Sequence, residues 1–425
     1  MKDEQFERFD MKKPPRKCNP LLKAVVWAAC KAGTVSHKAK ITKTGMEGIE
    51  PPYILLGNHN AFYDMKVSAM ATFPHFAHYI VAIDGFIGRE WLLRDIGCIC
   101  KRKFTTDLGL MKRLKNVVDM KGIIGLYPEA RYSLCGTTAV LPESLGKLCK
   151  LLNVPVVMLL CHGHHINHPF WNTRKERGVK PTEAEMYVLF TPEDYKKYSS
   201  EELNERLVEA FQYDDFRWQL ENKIVVDDPE RAVGLEKILY QCPSCGTEFQ
   251  MESSGTHLSC RACKKVWEMN EYGQLHALEG ETEFTHIPDW YEWERANVTK
   301  EVAAGTYSSG ELPVSVESLP NAKKFIPLGK GTMIHDMDGF KVRVTDEDGD
   351  VHEMIKDVPS MYSCHIEYEY LFKHGDCVDL NTLQDTWYVY PEGVPFSVTK
   401  MALATEELFF DHLKKIGKKR KPGLA

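Results

Sequence analysis

Between Tyr53 and about Leu189 the chain repeats short apolar runs, "YILLG", "HYIVAI", "GIIGLYP", "VPVVMLL" and "MYVLF", separated by longer stretches whose apolar residues return at helical spacing. Short apolar runs bounded by turn residues read as buried strands, and their alternation with helices predicts an α/β domain. Residues 194 to 239 read as helical, with "EELNERLVEAFQ" at their centre. The pattern changes at "YQCPSCGTEFQ". After about Pro288 the segments around "FKVRVT", "CHIEYEYLF" and "TWYVYP" read as strands, with Asp-Gly turns at Asp338-Gly339 and Asp348-Gly349. A final helix is predicted near Lys400 to Ile416. At the other end, in "NPLLKAVVWAACKAG", Leu21, Leu22, Val25, Val26, Ala29 and Cys30 recur at helical spacing. Such a face, short and flanked by basic residues, suits a bilayer interface or a protein core.

Composition narrows the class. The 425 residues, 43% hydrophobic and 27% charged, are enough for two or three globular domains. No run of about 18 apolar residues exists to span a membrane. The opening "MKDEQFERFDMKKPPRK" lacks the apolar core of a secretory signal, so a cytoplasmic protein is expected. Thirteen cysteines without secretory features point to reduced thiols and, where they cluster, to metal. The net charge of -6 hides basic ends: residues 1 to 45 carry eleven Lys and Arg against four Asp and Glu, and the chain closes with "KKIGKKRK". With the apolar face beside them, these ends predict peripheral attachment to the inner face of a membrane. No nucleic-acid partner is expected.

The stretch "GNHNAFYD", Gly57 to Asp64, sets a histidine and an aspartate five residues apart. On a continuous helix that step turns about 140°, so the two could not share a face. With His59 in the turn and Asn60 as the N-cap, a helix starting there would let Asp64 point back at the imidazole.

The same box, followed by "GCICKRKF" (Gly97 to Phe104), "LYPEARYS" (Leu126 to Ser133) and "NVPVVMLL" (Asn153 to Leu160), resembles in order and spacing the four sequence blocks of the glycerolipid acyltransferases, notably the 1-acylglycerol-3-phosphate acyltransferases. Four blocks in order within about 110 residues are a specific signal, covering roughly the first 235 residues. The resemblance implies transfer of a fatty acyl group from a thioester of coenzyme A or acyl carrier protein to the hydroxyl of a lysophosphatidate-like glycerolipid. An alcohol attacks a thioester usefully only if a base takes its proton as the bond forms, and His59 is implied as that base. Asp64 would fix the imidazole tautomer and stabilise the imidazolium.

The family's second and third blocks hold the acceptor's phosphate, which implies as substrate-binding residues Glu129 and Arg131 from the third and, from the second, where Cys100, Lys101, Arg102 and Lys103 stand, either Arg102 or Lys103. Here the sequence departs from the family. Its third block usually reads Phe-Pro-Glu-Gly-Thr-Arg-Ser, whereas this chain has Tyr127, Pro128, Glu129, Ala130, Arg131, Tyr132 and Ser133, so the arginine moves one place. The histidines of "CHGHHINHPFW" (His162, His164, His165 and His168) complete no familiar metal site and are expected to line the acyl or acceptor channel.

"CPSC" (Cys242 to Cys245) and "CRAC" (Cys260 to Cys263), fourteen residues apart, supply four thiolates for one structural zinc in a ribbon. Trp290, Tyr291 and Trp293 of "IPDWYEWERA" are expected to pack the ribbon against the following domain, with an interfacial anchor as the other reading. The expected organisation is an α/β acyltransferase domain with an N-terminal helical segment over residues 1–238, a zinc ribbon over 239–275, and a β-rich domain over 285–425 whose pattern is similar to pleckstrin-homology or GRAM modules. Two functions stay open: an acyltransferase, with a phosphorylated or an uncharged acceptor, or a zinc-ribbon interaction protein built on an inactive acyltransferase fold.

Overall fold

Strands buried on both faces must be apolar throughout, and the central runs of the first region form such strands. The computed structural model describes residues 7–172, 176–372 and 374–417. In it β1 (Lys40–Thr44), β2 (Tyr53–Gly57), β3 (Ala77–Ala82), β4 (Ile99–Lys101), β5 (Ile123–Leu126), β6 (Val156–His162) and β7 (Glu183–Phe190) make one sheet of order β1-β7-β6-β2-β5-β3-β4. Neighbours run parallel except β6 and β7. The first helix, α1 (Pro20–Ser36), is capped by the Asn19 side chain, which accepts from the N–H groups of Leu21 and Leu22. It packs on α2 (Tyr63–Ala71).

Helical structure in the 194–239 region ends earlier than its pattern predicts. The segments Asp194–Lys197, Ser200–Ala210 and Asp215–Glu221 are helical. Lys223 then takes a positive φ of 52°, and the Asp-Asp-Pro at residues 227–229 prevents a restart. Leu235, Ile238 and Leu239 belong to a core shared with the cysteine-rich segment instead.

That segment forms the sheet β11-β10-β9-β8, from β8 (Met251–Ser254), β9 (His257–Cys260), β10 (Val266–Met269) and β11 (Leu275–Ala277). A helix, Ile287–Ala303, leads into β12 (Ser308–Ser318), β13 (Ile326–Asp336), β14 (Gly339–Thr345), β15 (Val351–Asp357), β16 (His365–Glu367), β17 (Cys377–Asn381) and β18 (Thr386–Pro391). These pair in the order β15-β14-β13-β12-β18-β17-β16, all antiparallel. The last helix spans Val398–Lys415, while residues 418–421 of the basic tail lie outside the described residues. Trp290 and Tyr291 are fully buried, Trp290 edge-on to Trp267, so they serve the core and not a membrane interface.

Candidate active site

At the carboxyl end of the central strand β2, Asn58 exchanges two hydrogen bonds with the backbone of Cys161, tying the end of β2 to β6. His59 follows in the turn. Its Nδ1 lies 3.1 Å from Asp64 Oδ2, which also accepts the N–H groups of Asn60 and Ala61 at 2.6 and 2.9 Å. The capping relation is therefore the reverse of the expected one. α2 begins at Tyr63, the Asp64 carboxylate binds the turn, and the Asn60 side chain accepts from the Tyr213 hydroxyl. Burial raises the affinity of Asp64 for a proton, but hydrogen bonds from His164 and His59 outweigh it and bring its pKa down to about 2. Asp64 thus remains an anion throughout the range in which an imidazole titrates.

The imidazole of His59 is held between two rings, Tyr127 stacked at 4.3 Å and Tyr132 inclined at 4.4 Å. Gly57 makes room for the first of these, since a Cβ there would stand 2.9 Å from the Tyr127 ring. The side chain keeps 23% of its surface exposed, while that of Asp64 keeps none. A base with one accessible edge and a buried, charged partner on the other is suited to take a proton from a bound hydroxyl.

Glu129 stands beneath the turn. Its two oxygens accept the N–H groups of His59 and Ala139 at 3.1 and 2.9 Å. Burial pushes its pKa up to about 8, against the pull of those N–H groups and of Arg131. It positions the backbone of His59. Ala130 next to it adopts φ 57°, the left-handed conformation for which the family's glycine is suited.

The three expected phosphate-binding cations have partners in the β-rich C-terminal region. Arg102 is buried and donates to the carbonyls of Leu319, Pro320 and Gln384 and to the Thr386 hydroxyl. Lys103 pairs with Asp379 at 3.0 Å and Asp84 at 3.6 Å. Arg131 donates to Glu406 at 2.7 Å, and Glu406 is shared with Arg295 and Ser363. The one-place shift of the arginine has a physical consequence: at the family's arginine position stands Tyr132, whose ring lies on His59.

The four histidines part company in the same way. His165 is buried between Trp171 and Phe216, and burial lowers its pKa to about 3. His162 stacks on Trp218, and His168 lies beyond the short helix His164–Asn167. His164 reaches the site: its Nδ1 lies 2.5 Å from Asp64 Oδ1. The pattern around it, three histidines within four residues, gave no reason to single it out.

The sulfurs of Cys242, Cys245, Cys260 and Cys263 all lie within 4.8 Å of one another, with Cys242 and Cys263 3.7 Å apart and Cys245 and Cys260 3.8 Å apart. Cys242 and Cys245 lie on one turn, closed by Gly246 N–H to Cys242 O, and Cys260 and Cys263 on another of the same form, closed by Lys264 N–H to Cys260 O. Metal–sulfur bonds of about 2.3 Å in a tetrahedron place sulfurs about 3.8 Å apart. The cluster has the spacing to hold one metal ion.

No family model matches the chain, and no curated protein sequence is similar to it. Among solved structures it is similar to the 1-acyl-sn-glycerophosphate (LPA) acyltransferase PlsC from Thermotoga maritima, at 17% identity over 44% of this chain and 76% of that one, with a TM-score of 0.34.

Proposed function

We propose that the protein is an O-acyltransferase in which His59 takes the proton of an acceptor hydroxyl as its oxygen attacks the carbonyl of an acyl thioester. The observation that carries this reading is the partly exposed imidazole of His59 on the buried Asp64 carboxylate. With Nδ1–H donated to Asp64, Nε2 is the basic atom. The attack forms an imidazolium, which Asp64 stabilises. Collapse of the tetrahedral adduct then breaks the carbon–sulfur bond, and the departing thiolate takes the proton back from Nε2.

Engagement of Arg102, Lys103 and Arg131 by the C-terminal domain, with an aromatic ring at the family's arginine position, supports an acceptor without a phosphate. A peripheral membrane location is part of the proposal. Leu21, Ala24, Val25, Ala28, Ala32 and Val35 form an exposed apolar stripe along α1, with exposed Lys12, Lys13 and Lys17 before it. No helix among the described residues is long and apolar enough to cross a membrane.

The test supplies purified protein with an acyl thioester and a panel of acceptors in anionic vesicles. A monoacylglycerol or long-chain alcohol is expected to be used at least as well as lysophosphatidate, by protein that sediments with the vesicles less strongly as salt rises. A tenfold preference for lysophosphatidate would return the cations to the acceptor. No transfer to any acceptor would leave the interaction-protein reading.

We further propose that the cysteine cluster holds a structural zinc, because four thiolates fill its coordination and leave no position for substrate. One zinc per chain is expected by elemental analysis of protein prepared without chelator. Cys242 is buried in the core that contains Trp267 and Trp290. Cys242→Ser should therefore speed amide exchange from the ribbon into the helix Ile287–Ala303 and leave transfer per folded molecule unchanged. Absence of zinc, or exchange confined to the two turns, would overturn the assignment.

A further inference from the structure

We infer that His164 is a positioning residue of the same site: it holds the second oxygen of Asp64 so that the first is aimed at His59, making a His–Asp–His relay in place of a simple pair. The inference rests on the acyl-transfer reading only for its catalytic consequence, since the geometry is that of the side chains themselves.

The four donors to Asp64 divide unequally. Oδ2 receives His59 and the two N–H groups of the turn, while Oδ1 receives His164 at 2.5 Å. A carboxylate held at Oδ2 alone can still swing within those hydrogen bonds about its Cβ–Cγ bond, and such a swing bends the line to His59. The donor on Oδ1 removes that freedom.

His164 is itself fixed with unusual economy. Gly163, in the left-handed conformation with φ 82°, turns the chain out of β6. The buried Asp215 carboxylate then binds the N–H of Gly163 at 3.1 Å and that of His165 at 2.9 Å, clamping the backbone on both sides of the residue between them. The His164 ring is fully buried, and its Nε2 has no hydrogen-bond partner among the described residues. A protonated ring would leave a buried N–H unpaired there, whereas a neutral ring carrying its proton on Nδ1 leaves only a bare acceptor, the cheaper state. A neutral His164 also leaves the full charge of Asp64 to support the His59 imidazolium.

Other ionisable groups face this unit: Tyr63 of α2 edge-on to the His164 ring, Cys161 of β6, Tyr127 stacked on His59, Glu129, Tyr132, His165, Tyr213 and Asp215. Of these, among the described residues, none donates to Oδ1. Removing His164 therefore leaves that oxygen bare, raises the proton affinity of the carboxylate and, through it, that of His59.

The experiment compares His164→Phe, which fills the space without a donor, with His164→Asn, whose amide N–H can occupy the place of Nδ1–H. Transfer by His164→Phe is expected to fall about ten- to hundredfold in kcat with KM changed less than about threefold, and the acidic limb of its pH profile to move up by about one pH unit. His164→Asn should restore most of both. Histidine NMR of the same proteins follows the His59 titration without any assay. It should show the same upward move in His164→Phe, so failure of the acyltransferase reading and failure of this inference are separately visible. Should His164→Phe not fold, nitrogen NMR of the wild type decides, since His164 must appear as the neutral Nδ1–H tautomer at neutral pH. A protonated or Nε2–H ring, an unmoved His59 titration, or an asparagine variant no better than phenylalanine each overturns the relay.

Discussion

Purified His59→Ala is expected to lose about two to four orders of magnitude of acyl-transfer rate, the usual contribution of a positioned general base, while remaining folded. The expectation of an intact fold comes from the bonds that survive. Asp64 would keep the turn N–H groups and His164, so its buried charge is not stranded. His59 itself is partly exposed, and among the described residues its side chain hydrogen-bonds to Asp64 alone. Unchanged turnover by folded His59→Ala would end the acyltransferase reading. Asp64→Asn is a less clean test: an amide presents two hydrogens to a site that offers four donors, so it disturbs the turn as well as the base. Its loss of activity must be divided by its loss of folded protein before it says anything about catalysis.

How much of this was legible along the chain follows from how local each relation is. The interior strands were legible because burial on both faces demands unbroken apolar runs, as in Val156–His162. The edge strand Lys40–Thr44 is largely exposed and polar, and Ile99–Lys101 is too short to carry a period, so neither announces itself. His59 and Asp64 stand five residues apart, within reach of spacing rules. The contact between His164 and Asp64 spans 100 residues and that between Arg131 and Glu406 spans 275. No local pattern encodes such pairs. One trace of the second was present: Glu406 and Glu407 interrupt the apolar "MALATEELFF" of the last helix, where buried carboxylates require cationic partners from elsewhere. The block resemblance singled out these cations in the chain but left open which way they point, and Arg131 points to Glu406 of the last helix.

The same cations set the largest expected effect on stability. Arg102→Met should destabilise the protein by about 3–5 kcal/mol, since each buried acceptor left without its donor costs about 1–3 kcal/mol. Methionine keeps the length of the stem but supplies no donor. The carbonyls of Leu319, Pro320 and Gln384 and the Thr386 hydroxyl would lose their guanidinium in a place that admits little water. Arg131→Met should cost less, because Glu406 would still be held by Arg295 and Ser363. Urea denaturation measures the difference, and amide exchange locates it: β18, which begins at Thr386, and the end of β12, just before Leu319, should open first. If the acceptor is bound elsewhere, Arg102→Met should leave the acceptor KM of the folded fraction within about threefold of wild type. A variant of normal stability whose acceptor KM rises tenfold or more would show that Arg102 leaves its carbonyls to meet substrate, and the closed contact between the domains would then be a resting state of the enzyme.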